Sequence, residues 1–282
     1  MRVLHVDTGT TMRGGQWQLR YLDEELRRAG HETRVLAGVP ELGSPFSAAR
    51  LALWSRWADI THCHDARSHT YAAALARRPF VVSRRVGWPV REGTLSNWKY
   101  RQAAGFLAVS EFVEARLRVA GFDRTHVVYD GVPLPASVSR RDGPVIAMKT
   151  DDTEKGADLL RQTGLKVVFS DNLDGDLPSA RLFVYISRLE GLGSAALLAM
   201  AHGVPVVASR VGGLPEIVRH GVTGITVANE VAAIQDAVRE VLADEALAAG
   251  LAARGRALVE SGFTTAHMAR ATLEVYQKVL AR

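Results

Sequence analysis

The segment 182–208 constrains the fold of this chain more than any other. It opens with an apolar, β-rich run at 182–186, which predicts a buried strand. A turn that contains two glycines follows, and the residues from 194 to 201 then predict a helix. A second apolar run at 206–208 predicts another strand. A strand, a turn, a helix and a second strand in this order are typical of an α/β unit.

The turn between the first strand and the helix predicts an anion-binding site. Backbone N–H groups at a helix N-terminus are unpaired, and the helix dipole favours negative charge there. Because Gly191 and Gly193 have no side chains, a phosphate can approach closely. Glu190 stands just before the turn, where its carboxylate can accept hydrogen bonds from hydroxyl groups. A plain structural turn is the alternative, and the glycines at 212–213 and 221–224 favour the functional interpretation.

Together these segments resemble the donor-binding half of the family 4 glycosyltransferases, retaining enzymes of the GT-B fold that use nucleotide sugars. The resemblance makes Glu190 the catalytic residue that contacts the transferred sugar. In the family a second glutamate, at the position of Leu198, contacts the nucleotide ribose. A leucine cannot accept hydrogen bonds from a ribose diol, so one expected donor contact is missing here. The resemblance also implies that the turn binds donor phosphate through Gly191, Leu192, Gly193 and Ser194.

The resemblance extends more loosely over most of the chain. It implies a GT-B-like α/β fold of two Rossmann-like parallel-sheet domains that face a cleft. The implied parts are an N-terminal acceptor-side domain at 1–136, a C-terminal donor-binding-like domain at 143–262 and a helix at 263–282 that returns to the first domain. Only 25 residues lie between Gly156 and the strand at Leu182, so we expect the second domain to be reduced.

Three further basic positions match places where the family binds its donor. The family clamps the donor diphosphate between an arginine after the first strand of the second domain and a lysine in a following Lys-Gly pair. Lys155 fits the lysine, Thr150 occupies the arginine position, and Lys149 beside it is a flexible substitute. Arg85 stands where many members place a histidine that touches the donor sugar. An arginine there suits a phosphate, a carboxylated sugar or a lipid pyrophosphate, and an exposed surface arginine is the alternative.

The first strand is followed by a loop at 7–17 and a predicted helix at 18–29. The loop fits neither G-x-G-x-x-G nor G-x-x-x-x-G-K-[ST]. It resembles the Gly-Gly loop that faces the cleft in GT-B enzymes, which implies a donor-side role for Gly14 and Gly15; a tight turn is the alternative.

We predict neither a metal site nor another cofactor, and the nucleotide sugar acts as a co-substrate. The run 61–65 contains two histidines, a cysteine and an aspartate. In a strand, however, His62 and His64 point to one side and Cys63 to the other, and no second ligand cluster has matching spacing. Cys63 is also the only cysteine, so an internal disulfide is excluded.

Basic residues are concentrated in the first half of the chain. Residues 1–140 hold 20 Lys and Arg against 13 Asp and Glu, whereas residues 141–282 hold 15 against 17. Within 84–101 basic side chains alternate with Trp88, Trp98 and Tyr100, a mixture that suits a membrane interface or single-stranded nucleic acid. Because no nucleic-acid module motif occurs, we expect an anionic membrane surface and no nucleic acid as partner.

The sequence contains no run of 18 apolar residues and enters a strand directly at its N-terminus. It therefore predicts neither a membrane span nor a signal peptide, and we expect a cytoplasmic protein that is peripheral at the inner face of the membrane.

The leading hypothesis is retaining sugar transfer, without a metal, to a lipid-linked or cell-envelope glycan such as lipopolysaccharide. The alternative is a catalytically weakened relative that binds a glycan, lipid or protein, which Leu198, Thr150 and the reduced domain favour.

Overall fold

The computed structural model describes residues 1–37 and 45–282, and the chain divides into two compact units. Unit 1 comprises residues 1–130 and 265–282, and unit 2 comprises residues 131–264. The stretch 137–142, which the predicted domain bounds leave between the two domains, belongs to unit 2. Its Ser139 donates from the hydroxyl to the Ala180 carbonyl at 3.0 Å and from the backbone to the His202 carbonyl at 2.6 Å.

Unit 1 is built on a six-stranded parallel sheet with the strand order β2-β1-β3-β4-β5-β6. Its strands are β1 (Arg2–Val6), β2 (Glu32–Leu36), β3 (Ile60–Cys63), β4 (Phe80–Arg84), β5 (Gly105–Ala108) and β6 (Thr125–Val127). Its helices, apart from the C-terminal one, are α1 (Gly14–Arg28), α2 (Pro45–Trp57), α3 (Ala66–Leu75), α4 (Thr94–Gln102) and α5 (Glu111–Val119). The central strands β3 and β5 are buried along their length, and β4 is buried up to Arg84 at its end, as expected for a parallel sheet covered on both faces.

Unit 2 is built on a five-stranded parallel sheet with the order β11-β10-β9-β7-β8. Its strands are β7 (Val145–Met148), β8 (Val167–Ser170), β9 (Leu182–Tyr185), β10 (Val206–Ser209) and β11 (Ile225–Val227). Its helices are α6 (Ala157–Gln162), α7 (Leu173–Asp176), α8 (Ser194–Ala201), α9 (Leu214–Ile217), α10 (Val231–Ala243) and α11 (Glu245–Gly262). The C-terminal helix α12 (Thr265–Leu280) belongs to unit 1.

One predicted boundary in unit 1 was wrong, because α1 begins at Gly14 and not at residue 18. The Gln16 side chain accepts the Arg13 N–H at 3.2 Å and donates to Asp7 at 3.0 Å. These bonds fix the first turn of the helix, and they allow it to start within the glycine-containing loop. The helix then packs into the core of unit 1 through Leu22 and Leu26, next to Tyr276 of α12.

The connection between β7 and β9 is built from short elements. It contains a 3₁₀ turn (Thr153–Lys155), α6, the edge strand β8 and the one-turn helix α7. Within the described part of the chain, no helix combines the length and the apolar character that crossing a bilayer requires.

Candidate active site

Three side chains of unit 2 meet at the carboxyl end of β9. The Lys155 ammonium forms an ion pair with Oε2 of Glu190, and the Tyr185 hydroxyl donates a 2.7 Å hydrogen bond to the same oxygen. The lysine nitrogen also lies 3.3 Å from that hydroxyl. The Lys155 and Glu190 side chains are 22% and 12% exposed, so water screens their attraction less than it screens a surface pair. Burial, aided by the Glu190 carboxylate, raises the pKa of Tyr185 well above its usual value and keeps its hydroxyl neutral.

Close backbone packing brings Lys155 to this cluster. Gly156 follows it with φ +56°, and a Cβ at this glycine would lie 2.6 Å from Cγ2 of Ile186. Only glycine therefore fits against the end of β9 in this conformation. The Arg188 N–H donates to the Glu154 carbonyl at 2.7 Å and joins the two loops further. The Lys-Gly pair is thus held next to Glu190 by the backbone.

A second glycine holds Glu190 from another side. Gly212 has φ +57°, and a Cβ there would lie 1.9 Å from the carbonyl oxygen of Glu190. The Gly213 N–H donates to that carbonyl at 3.2 Å, and the Gly191 N–H donates to Oε1 of the Glu190 carboxylate at 3.0 Å. Both the backbone and the carboxylate of Glu190 are therefore fixed, which suits a group that orients a substrate hydroxyl.

The glycine turn leads into α8 as the sequence predicted. Gly193 precedes the helix with φ +104°, and no side chain caps the helix N-terminus. The first-turn N–H groups are therefore not satisfied by a side-chain cap, as an anion site requires. Gly191 is buried, Ser194 is half-buried, and the Leu192 side chain is only 1% exposed. Leu192 can therefore contribute its backbone alone, and phosphate binding by this turn stays a prediction.

Two further predicted site residues of unit 2 are Lys149 and Leu198. Lys149 follows β7 and pairs at 3.2 Å with Asp171, and both side chains are more than half exposed. Leu198 is half-buried on α8, between the fully buried Leu197 and Ala199. The structure therefore joins Lys155 to Glu190 and places Lys149 in a surface ion pair.

In unit 1, Gly14 and Gly15 form the first turn of α1. Gly14 is exposed, and a Cβ at Gly15 would meet nothing within 4 Å. The preceding loop is held by the buried Asp7 carboxylate, which accepts from the Gly9 N–H at 2.7 Å. The structure thus leaves open space at Gly15, and donor binding by this glycine pair stays a prediction.

Arg85 is not an exposed surface arginine. Its guanidinium donates to Asp130 at 3.2 Å, and the two side chains are 15% and 10% exposed. It also lies 3.3 Å from Nδ1 of His64. Arg85, Asp130, His62 and Ser83 border a small cavity that has room for about one water molecule. An anion at Arg85 would have to compete with the Asp130 carboxylate.

The structure adds His5 to the histidines at 62 and 64, because the register of β1 against β3 places His5 opposite His62. Since arginine only donates, Nδ1 of His64 accepts from Arg85, and its Nε2 then donates to Nδ1 of His5 at 3.0 Å. The remaining Nε2–H of His5 has no partner among the described residues. Burial lowers the pKa of His5 to about 4 and the pKa of His64 well below its usual value, so both rings are neutral.

The ligand atoms of His5, His62 and His64 lie within 4.8 Å of one another, but hydrogen bonds already occupy most of their ring nitrogens. The rings of His62 and His64 are tilted by 32°, with their centroids 4.1 Å apart. The two nitrogens of His62 bond to the hydroxyls of Tyr276 at 2.6 Å and Ser83 at 2.7 Å. The cluster is therefore a neutral hydrogen-bonded network beside the cationic Arg85.

The basic and aromatic stretch 84–101 divides into inward and outward side chains. Arg84 donates to the Tyr100 hydroxyl at 2.8 Å, and Lys99 donates to the Ala66 carbonyl at 3.1 Å. By contrast, Trp88 and Trp98 are 52% and 40% exposed. Only part of this stretch is therefore available to a partner. The outward part also includes the exposed Arg91 and Arg101.

Two family models match the sequence. The model described as Glycosyltransferase Family 4 matches residues 38–134, and the model described as Glycosyl transferases group 1 matches residues 146–244. Together the matches cover more than half of the chain. The chain belongs to glycosyltransferase family 4, and its two parallel-sheet units confirm the predicted GT-B-like fold.

Individual proteins are also similar to this chain in sequence or in fold. The alpha-maltose-1-phosphate synthase of Mycolicibacterium smegmatis is 44% identical over 37% of this chain and 29% of its own length. The lipopolysaccharide core biosynthesis mannosyltransferase LpsB of Rhizobium meliloti is 34% identical over 50% of this chain and 41% of its own. The chain thus spans less than half of the length of these relatives. The crystal structure of Anabaena Alr3699/HepE with UDP and glucose covers 99% of this chain and 100% of its own, with a TM-score of 0.81 at 18% identity.

Proposed function

We propose that the protein transfers a sugar from a nucleotide-sugar donor, with retention and without a metal ion, to a lipid-linked or cell-envelope glycan. The observation that carries this proposal is the contact of Lys155 with Glu190 beside the uncapped N-terminus of α8. In this proposal Lys155 and the helix N–H groups stabilise the departing diphosphate, and Glu190 orients the sugar. Lys155 supplies the positive charge that a metal ion supplies in other transferases.

The similar proteins support the choice of substrates. HepE was crystallised with UDP and glucose, which supports a nucleotide sugar as donor. LpsB is named as a mannosyltransferase of the lipopolysaccharide core, which supports an envelope glycan as acceptor. The exposed Trp88 and Trp98, together with Arg91 and Arg101, support docking of unit 1 on an anionic membrane surface.

A donor panel tests the transfer reaction. UDP-, GDP- and ADP-sugars are incubated with the full chain, with and without lipid-linked and lipopolysaccharide acceptors, and released nucleoside diphosphate is measured. We expect turnover with one nucleotide class, and loss of that turnover in Glu190→Gln, which keeps the shape of the side chain and removes its charge. Absence of turnover with every donor would contradict the enzymatic proposal.

A vesicle assay tests the membrane partner. We expect the protein to float with vesicles of anionic phospholipid and not with neutral ones, and salt to release it, because the attraction is screened charge. Equal flotation with both vesicle types, or with neither, would contradict docking on an anionic surface.

A second candidate function is binding without catalysis. Leu198 lacks the acceptor oxygens of a glutamate, and Thr150 lacks the charge of an arginine. Both departures favour a catalytically weakened protein that binds a glycan, lipid or partner. Calorimetry beside the donor panel separates the two functions, since binding of a nucleotide sugar without turnover supports the second.

A further inference from the structure

The hydroxyl of Tyr185 is a polar group at a position that otherwise belongs to the core. Tyr185 is the last residue of β9 and is 5% exposed, and its ring stacks on Phe183 with centroids 5.8 Å apart. Packing requires only an apolar ring at this place. The hydroxyl instead reaches Oε2 of Glu190 at 2.7 Å, five residues along the chain.

The contacts of Glu190 are divided unequally between its two oxygens. Oε2 accepts from both the Lys155 ammonium and the Tyr185 hydroxyl, whereas Oε1 accepts from the Gly191 N–H at 3.0 Å. A carboxylate offers about four acceptor positions, two on each oxygen. Within the described contacts, one acceptor position therefore remains, and it lies on Oε1.

A donor diphosphate would draw the Lys155 ammonium away from Glu190, because the ammonium is one compact charge on a flexible stem and its attraction is then shared between two anions. When the lysine turns to a phosphate, Oε2 loses one of its two donors. The buried Tyr185 hydroxyl is then the side-chain donor that remains on Glu190. Without it, the carboxylate can rotate towards the lysine and take Oε1 away from the ligand.

We propose that Tyr185 is a positioning residue that holds Oε2 of Glu190, so that Oε1 stays available to a hydroxyl of the transferred sugar once Lys155 has engaged the diphosphate. This inference rests on the proposed function, because it requires a nucleotide sugar as ligand. It deepens that function by assigning separate roles to the two oxygens of Glu190 and by adding a residue to the site.

Tyr185→Phe removes only the hydroxyl and tests the inference by calorimetry with UDP and UDP-glucose, or with the corresponding pair that the donor panel selects. We expect the affinity for the free nucleotide to stay within about twofold, and the affinity for the nucleotide sugar to fall about tenfold, as for a lost hydrogen bond to a charged group. Tyr276→Phe is the matched control, since it removes a buried hydroxyl bonded to His62 in unit 1 and should change neither affinity.

A double-mutant cycle separates positioning from packing. If Tyr185 acts through Glu190, Tyr185→Phe should have no further effect on nucleotide-sugar affinity in a Glu190→Ala background, which leaves no acceptor for the Tyr185 hydroxyl. Equal losses for nucleotide and nucleotide sugar, no loss for either, or an additive effect in the cycle would overturn the inference. A parent protein that binds no nucleotide sugar would instead contradict the proposed function, and the two failures are therefore distinguishable.

Discussion

Both units place an ion pair at the carboxyl ends of their parallel strands, but the two pairs have different surroundings. In unit 1, Arg85 and Asp130 lie against neutral histidines, and one of these rings is within hydrogen-bond distance of the arginine. In unit 2, Lys155 and Glu190 lie beside a glycine turn and an uncapped helix N-terminus. The first pair is surrounded by side chains that satisfy it, whereas the second lies next to backbone N–H groups suited to an anion.

Because of these surroundings, the two ion pairs would respond differently to an arriving ligand. The planar guanidinium of Arg85 is tied to both Asp130 and His64, so moving it breaks its contacts with both of these buried groups. The ammonium of Lys155 can turn on its stem while Tyr185 still holds Glu190. We infer that the cluster of unit 1 contributes mainly to stability and the cluster of unit 2 mainly to ligand binding.

The largest expected effect is on the stability of unit 1 at low pH. Burial lowers the pKa values of His5 and His69 to about 4, and it lowers those of His62 and His64 well below their usual value. Because these folded-state values lie below that of the unfolded chain, the stabilisation is complete above pH 6.5. It is lost as the pH falls from about 6.5 to 4, by roughly 3 kcal/mol for each of His5 and His69.

Urea titrations at pH 7.5 and pH 5, monitored by tryptophan fluorescence, check this loss of stability. All five tryptophans lie in unit 1, so the signal reports on that unit. His69→Gln keeps a donor for the Lys99 carbonyl and removes one titrating group, so its stability should fall less between the two pH values. An unchanged pH dependence in this variant would show that His69 does not contribute.

The next largest effect tests the rigid support of Glu190 in unit 2. Gly212→Ala should destabilise the protein by about 4 kcal/mol, because its Cβ would overlap the Glu190 carbonyl and its φ is positive. Gly221→Ala is the matched control, since its φ is +73° but nothing lies within 4 Å of its Cβ, and it should cost about 1 kcal/mol. Similar losses in chemical denaturation of the two variants would mean that the contact with Glu190 is relieved at little cost.

Local sequence patterns predicted most of the fold, because they depend on near neighbours along the chain. The apolar run that became β9 and the turn that leads into α8 lie where they were predicted. The early start of α1 was missed because it depends on Gln16 reaching Asp7 across the loop. The fold of the stretch around Ser139 was missed because its partners, Ala180 and His202, are distant in sequence.

The residues of the candidate site also fall into two groups, those that a local motif predicted and those that only the folded structure brings to the site. The motif predicted Glu190 and Lys155, and the structure brings them together. The sequence pattern indicated that Tyr185 is an apolar strand residue, because nothing in a strand pattern shows where its hydroxyl points. His5 was missed as well, because only the pairing of β1 with β3 places it beside the other histidines, and a comparison of the histidine positions in the two strands could have indicated it.

A smaller effect is expected from the comparison of two lysines of unit 2, Lys155 and Lys149. Lys155→Ala should weaken binding of a nucleoside diphosphate by about 1.5–3 kcal/mol, the usual range for a charge-assisted hydrogen bond. Lys149→Ala removes the same charge from an exposed pair with Asp171 and should change the affinity by less than about 0.5 kcal/mol. Titration calorimetry checks both variants. Equal losses would place Lys149 in the clamp, and no loss in Lys155→Ala would remove Lys155 from it.

The smallest expected effect concerns Leu198, where the chain departs from its family. Leu198 is half-buried, unlike its fully buried neighbours on α8, so a glutamate there can keep contact with water. Leu198→Glu would supply acceptor oxygens for a ribose diol, and we expect nucleoside diphosphate to bind about 1–2 kcal/mol more tightly. Leu197→Glu is the control, because it buries the same charge without a partner and should lower the melting temperature sharply.

Thermal melts of both variants and the parent, with and without UDP and GDP, distinguish the outcomes. If α8 borders a nucleotide site, Leu198→Glu should melt near the parent temperature and gain more from one nucleotide than the parent does, because tighter binding to the folded state raises its stability. If the face of Leu198 serves packing instead, Leu198→Glu should melt early like Leu197→Glu, and neither nucleotide should restore it. That second result would assign the departure at Leu198 to the core of unit 2, and it would favour the binding function over transfer.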